Sequence, residues 1–144
     1  MPVRKASAVW AGGGLRNGKG TLTSESGVLA EAKYDFGSRF ESAKGTNPEE
    51  LIASAHASCL SMALSAGLEK AGTTAARITT NAAVTLEFVQ GAARITKIAL
   101  TVRGVVPGLS PEAFVKAAEE AKAGCPVSNL FKGNATIEMD AKLG

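Results

Sequence analysis

Two segments in the middle of the chain alternate with period two. Ile78, Thr80, Ala82, Val84, Leu86 and Phe88 take turns with Thr79, Asn81, Ala83, Thr85 and Glu87. Thr96, Ile98, Leu100 and Val102 then alternate with Lys97, Ala99, Thr101 and Arg103. Successive strand side chains point to opposite faces, so this spacing predicts two strands of a sheet with one buried face. The linker VQGAA is short and contains Gly91, which predicts a hairpin. Earlier in the chain Lys5 to Trp10, TLTSES and VLAEAKYDF read as a meander, with AGGGLRNGKG as a turn and SRFESAKG as a loop. Ala135, Ile137 and Met139 predict a last strand.

Between these groups the period changes. After Asn47, a good N-cap, Pro48 suits the first helical position and Glu50 stands where a capping box places its acid. Gly72 is a natural stop after Glu69, Lys70 and Ala71. Within this helix Leu51, Ile52, Ala55, Cys59, Met62 and Ala66 mark one stripe, and Leu60, Leu64 and Leu68 another. Only serines and His56 interrupt them, and a helix apolar nearly all round is expected to be buried. A second helix starts at Ser110 and Pro111, shows Phe114, Ala117, Ala118 and Ala121 on one face, and ends at Gly124. Strands in groups rather than in alternation with helices predict an α+β fold, with antiparallel sheets packed on the long central helix. Residues 1–144 read as one domain, with no internal repeat or linker.

Composition adds exclusions. The net charge of +3 comes from scattered Lys and Arg, and one tyrosine and one tryptophan make a poor stacking platform, so no nucleic-acid partner is expected. MPVRKASAVW lacks an apolar run of signal-peptide length, which predicts a cytoplasmic protein. Leu51 to Leu68 carries four serines and His56, a poor membrane span. Two cysteines make no disulfide framework; each is either a buried small residue or a reactive thiol.

Gly13 to Lys19 fits G-x-x-x-x-G-K, but Gly20 replaces the required Ser or Thr and a strand follows instead of a helix, so a hairpin loop is the better reading. No cofactor or metal is expected, because Cys59, Cys125 and His56 lack metal-ligand spacing. His56 lies three residues before Cys59 and is either a packed, hydrogen-bonded histidine or half of a Cys–His pair. Cys59 on its own fits a buried apolar role. Cys125 lies between Gly124 and Pro126, where it would cap a short helical turn, and thiols at helix N-termini have depressed pKa values. A peroxidatic and resolving pair fits the two thiols together.

SRFESAKGTNPEELIASAHASCLSMAL, ITKIALTV and KAGCPVSN together resemble the osmotically inducible protein C (OsmC) family, sister to the organic hydroperoxide resistance proteins. The resemblance runs along nearly the whole chain, including VWAGGGLRNGKGTLTSESGVL. It implies an OsmC-like fold in an intertwined homodimer, with active sites at the interface. It implies a thiol-dependent peroxidase for organic hydroperoxides and hydrogen peroxide, with Cys59 peroxidatic and Cys125 resolving. Arg39 in SRFE matches the arginine that activates the thiol, and Glu49 its carboxylate partner; Glu50 fits a structural, capping role. The external reductant in the family's best-known members is a dithiol resembling dihydrolipoyl groups.

The chemistry needs these residue types. Burial favours the neutral thiol, while the thiolate attacks peroxide oxygen. An arginine is always charged and offers several donors, so it can favour the thiolate and hold peroxide oxygens. Glu49 and Cys59 lie ten residues apart on one helix, so the rise separates them by roughly 15 Å along the axis. That separation predicts that Arg39 and Glu49 serve the Cys59 of the partner chain. A non-catalytic redox switch using the same two cysteines is the alternative, and a binding protein with two inert thiols a third reading.

Overall fold

The computed structural model describes residues 1–144, which fall into two compact units, Met1–Leu51 and Ile52–Gly144.

The first unit is a small meander. Strands β1 (Ala6–Ala11), β2 (Lys19–Ser24) and β3 (Ala32–Tyr34) pair antiparallel in that order. The glycine-rich loop is a single helical turn, α1 (Gly14–Asn17), in the β1–β2 connection. Trp10, Gly20 and Tyr34 stand in register across the three strands. A Cβ on Gly20 would lie 2.5 Å from the Tyr34 ring, so the glycine lets Trp10 and Tyr34 meet over it, with ring centroids 5.6 Å apart. The start of SRFESAKG is not loop as expected: Ser38 to Phe40 close a short helix, α2 (Phe36–Phe40), with Glu41 as its C-cap and the irregular chain following. The reason is local: Asp35 Oδ1 accepts from the Ser38 amide at 2.9 Å and Ser38 Oγ accepts from the Asp35 amide at 2.9 Å, a reciprocal capping box.

The long helix α3 (Pro48–Lys70) begins as the sequence predicts. Asn47 Oδ1 accepts from the Glu50 amide at 2.7 Å, and the Glu50 carboxylate accepts from Thr46 Oγ1 at 2.7 Å. The second unit holds most of α3 with β4 (Arg77–Val89), β5 (Ala92–Val105), α4 (Pro111–Gly124), α5 (Pro126–Phe131) and β6 (Thr136–Leu143). Gln90 and Gly91 both have positive φ, at 51° and 80°, in the tight turn that joins β4 to β5. Positive φ at both central residues is what the right-handed twist of a hairpin asks of a two-residue turn. β6 differs from the antiparallel expectation: it lies parallel to β5, from Lys97 opposite Thr136 to Gly104 opposite Leu143. A parallel neighbour needs a long crossover, which α4 and α5 supply.

The core of this unit joins Leu60, Leu64 and Leu68 of α3 to Ile98, Leu100 and Val102 of β5 and to Phe114, Ala118 and Ala121 of α4. Here the expectation that α3 is covered all round fails. Its Leu60–Leu64–Leu68 stripe is buried, whereas Ala55 and Ala66 are exposed and Met62 is 74% exposed. Only 22% of its most apolar 18-residue window is buried, although length and hydropathy alone would let this helix cross a membrane. One sheet face and one helix can cover one side of a cylinder, and Ala55, Met62 and Ala66 lie on the other side, open to solvent.

Candidate active site

Each unit holds one pair of predicted site residues. In the first, α2 and the start of α3 bring Arg39 to Glu49. Arg39 Nη2 donates to Glu49 Oε1 at 2.8 Å, and Nε donates to Oε1 and Oε2 at 3.2 and 3.3 Å. Two donors along one edge of a planar guanidinium gripping one carboxylate fix its orientation as a single contact could not. Glu49 is buried, at 7% exposure, while 36% of the Arg39 side chain is open and its Cζ lies 5.3 Å from the Phe40 ring centroid. The grip uses the Nε and Nη2 side, leaving Nη1 outside the pair. Asn47 holds the geometry from below: besides capping α3, its Nδ2 donates to the Ser38 carbonyl at 3.0 Å. Ser38 Oγ in turn donates to the Thr46 carbonyl at 2.8 Å. The residue next to Arg39 is thus tied to the two residues that precede α3.

In the second unit the two cysteines, far apart in sequence, come together as free thiols: Cys59 packs against the buried cluster that contains Cys125, and each thiol alters the ionisation of the other. Cys59 projects from α3 beside the buried leucines and is half-buried. Cys125 is fully buried and is the one residue between α4 and α5, closing the first and capping the second. Its amide donates to the Ala121 carbonyl at 2.8 Å and its carbonyl accepts from the Asn129 amide at 3.0 Å. Pro126 then starts α5 as expected.

The two thiols differ electrostatically. Burial pushes Cys59 up, against the Val127 amide, and the neighbouring Cys125 pushes it further. Burial also opposes ionisation of Cys125, but the Ser128 amide, the Cys59 thiol, the Ser128 hydroxyl and the Val127 amide outweigh it and lower its pKa. The sulfur closes no full capping hydrogen bond, yet these amides at the first turn of α5 lie near enough to favour the anion. Within one chain Cys125 is therefore the more acidic thiol, and nothing in the second unit lowers Cys59 enough to offset its burial.

His56 and Ser128 complete the surroundings. His56 is fully buried and its Nε2 lies 2.7 Å from Ser128 Oγ, so it is the hydrogen-bonded histidine of the two readings left open by sequence. Burial holds it below its ordinary pKa of 6.5, which keeps the ring neutral. Ser128 was not singled out from sequence. The available signal was its place in CPVS, the third residue of a helix that Cys125 caps. No three His, Cys, Asp or Glu side chains are grouped to hold a metal ion.

With this geometry in hand, comparison with known proteins is direct. The OsmC-like protein family matches residues 41–140, and the chain is 48% identical to peroxiredoxin OsmC of Escherichia coli K12 over 139 residues, covering 96% of both proteins. The chain belongs to the OsmC-like family. Among solved structures, OhrB of Bacillus subtilis, an organic hydroperoxide resistance protein, matches this OsmC-like chain with a TM-score of 0.75 and 26% identity over 96% of this chain and 98% of that one. An organic hydroperoxide resistance protein from Elizabethkingia anophelis matches with a TM-score of 0.77 and 26% identity over 99% of each chain. The α+β arrangement of two small sheets and a long helix is the OsmC-like fold.

Proposed function

We propose that this peroxidase reduces organic hydroperoxides, and hydrogen peroxide, through Cys59 with Cys125 as the resolving thiol. The observation that carries the reading is the proximity of two free thiols on separate elements of the second unit, packed in one cluster and each altering the ionisation of the other. Cys59 thiolate attacks the terminal peroxide oxygen; the O–O bond breaks and the alkoxide leaves, taking a proton to become the alcohol. Cys59 then carries a sulfenic acid. Cys125 attacks that sulfur, hydroxide leaves and becomes water, and a disulfide remains. An external dithiol reduces it by exchange.

The reading assigns Arg39 and Glu49 to activation of Cys59, in a homodimer with residues 1–144 acting as one functional domain. The ten-residue spacing from Glu49 to Cys59 along α3 supports service to the partner's thiol. The uncovered apolar stripe of α3 supports a partner chain lying against it, and it offers an alkyl or aryl tail an apolar wall beside Cys59. A guanidinium brought to Cys59 in this way would reverse the upward push of burial on its pKa. The reading keeps the cytoplasmic location expected from the sequence, with no nucleic acid or membrane as partner.

The test is consumption of cumene hydroperoxide and of hydrogen peroxide with excess dithiol, a lipoyl-type dithiol included. Many turnovers, lost in Cys59→Ser and faster with the organic peroxide, are expected. A single equivalent consumed under every reductant would establish a redox switch in place of an enzyme.

A further inference from the structure

We infer that His56 and Ser128 form a one-way chain of hydrogen-bond donors that prepares Cys125 for attack, making them positioning residues of the resolving step. The inference rests on the assignment of Cys125 as the resolving thiol.

His56 sits on α3 and Ser128 on α5. Both are buried, at 0% and 4% exposure, and they meet at 2.7 Å through Nε2 and Oγ. The other ring nitrogen, Nδ1, is buried and has no hydrogen-bond partner. That orphan decides the tautomer. A neutral imidazole has one N–H and one bare lone pair. If Nδ1 carried the proton, a donor would be buried without an acceptor; with the proton on Nε2, only a lone pair goes unused. Buried unpaired N–H groups are the rarer and costlier of the two faults. The proton therefore belongs on Nε2, and Nε2 donates to Ser128 Oγ.

The serine hydroxyl now accepts on its oxygen and has its own hydrogen free. Cys125 lies three residues earlier, at the N-cap of the helix in which Ser128 is third, so both stand on the first turn of α5, and the Ser128 hydroxyl favours the Cys125 anion as a donor turned toward its sulfur does. Donation thus runs from imidazole to hydroxyl to sulfur. A link serving only to tie α3 to α5 would be indifferent to this direction.

The direction matters because Cys125 is fully buried, where a thiolate is costly without donors. In resolution the Cys125 thiolate attacks the sulfur of Cys59–S–OH. The S–S bond forms, the S–O bond breaks, and hydroxide departs with the electron pair to take up the proton that Cys125 released. Ser128 and His56 keep their protons throughout; they lower the free energy of the anion and aim its lone pair.

The test is a single turnover with one equivalent of cumene hydroperoxide and no reductant, followed by rapid mixing and by intact-protein mass spectrometry. In Ser128→Ala, peroxide loss should keep its wild-type rate while disulfide formation slows at least about tenfold, as expected for a lost hydrogen bond to a charged group. With extra peroxide, Cys59 sulfinic acid should accumulate in that variant. Ser128→Thr retains the hydroxyl and His56→Gln retains an N–H donor, so both should restore resolution. Resolution at the wild-type rate in Ser128→Ala, equal slowing of both phases, or no recovery in either conservative variant would overturn the relay while leaving the peroxidase intact. A wild type that forms no Cys59–Cys125 disulfide would overturn the functional reading as well.

Discussion

Gly104 on β5 faces the ring of Phe114, and replacing it with alanine puts a methyl group where there is no room. The added Cβ would sit 2.3 Å from Cε2 and 2.6 Å from Cζ, against 3.4–4 Å for ordinary contact. Relief requires the ring or the strand to move by about 1 Å, and Phe114 is fully buried in the core between α3, α4 and β5. Forcing one extra carbon into such a site costs about 1–3 kcal/mol. With an unfolding entropy of about 2 cal/mol/K per residue, a chain of this length has a slope of about 0.3 kcal/mol/K, so Tm should fall by about 3–10 °C. Thermal unfolding at fixed protein concentration measures this. The cycle with Phe114→Leu tests the cause: a smaller side chain makes room, so the double variant should be more stable than the two single losses added together, by about 1 kcal/mol or more. A Tm within 1 °C of wild type, or an additive cycle, would refute the close-contact argument.

The remaining predictions concern the site. Arg39→Lys cannot reproduce the two-donor grip on Glu49, so kcat/KM for hydroperoxide should fall about tenfold or more, with little change in Tm because Arg39 is partly open to water; an unchanged kcat/KM would remove Arg39 from the machinery. Asn47→Ala removes both the α3 cap and the tie to Ser38, and should cost about 1–2 kcal/mol in urea unfolding, with Asn47→Asp, which keeps the cap, intermediate; equal losses in both would show that the cap is not the stabilising contact. Because burial lowers the pKa of His56, the unfolded chain takes up a proton below pH 6.5 that the native ring refuses. Its contribution is present above that pH and is lost as pH falls from 6.5 toward the native value, with a limiting slope of about 1.4 kcal/mol per pH unit. Urea unfolding between pH 5 and 7 should show a shallower decline in His56→Gln than in wild type; parallel curves would refute it.

Much of the fold is written in local rules. The α3 start follows from Asn47, Pro48 and Glu50, and the hairpin follows from alternation around Gly91. The α2 helix was equally local, since Asp35 and Ser38 stand at capping-box spacing, but a five-residue helix has too few apolar positions to announce itself. The direction of β6 was not legible, because alternation says which face a strand buries and not which way its neighbour runs. The exposure of Met62 escaped for a related reason: hydrophobicity states that a surface should be covered, not by which chain. At the site, the thiol pair could be suggested from Gly124–Cys125–Pro126, while Arg39 and Glu49 rested on resemblance alone. The His56–Ser128 contact joins residues 72 positions apart, and no spacing rule reaches that far.

Cys125 is the single residue at which α4 stops and α5 starts. A bond from Cys59 to that joint would enclose most of the second unit in a covalent ring. Chain-entropy arguments give such a closure up to about 4 kcal/mol at room temperature. Each catalytic cycle would therefore alternate a looser reduced enzyme with a tightened oxidised one. When reductant runs short, the form that accumulates is the one better able to survive heat and proteolysis. A protein working under oxidative load would then be hardened by its own unfinished turnover, and reduction by the dithiol would restore both reactivity and compliance together.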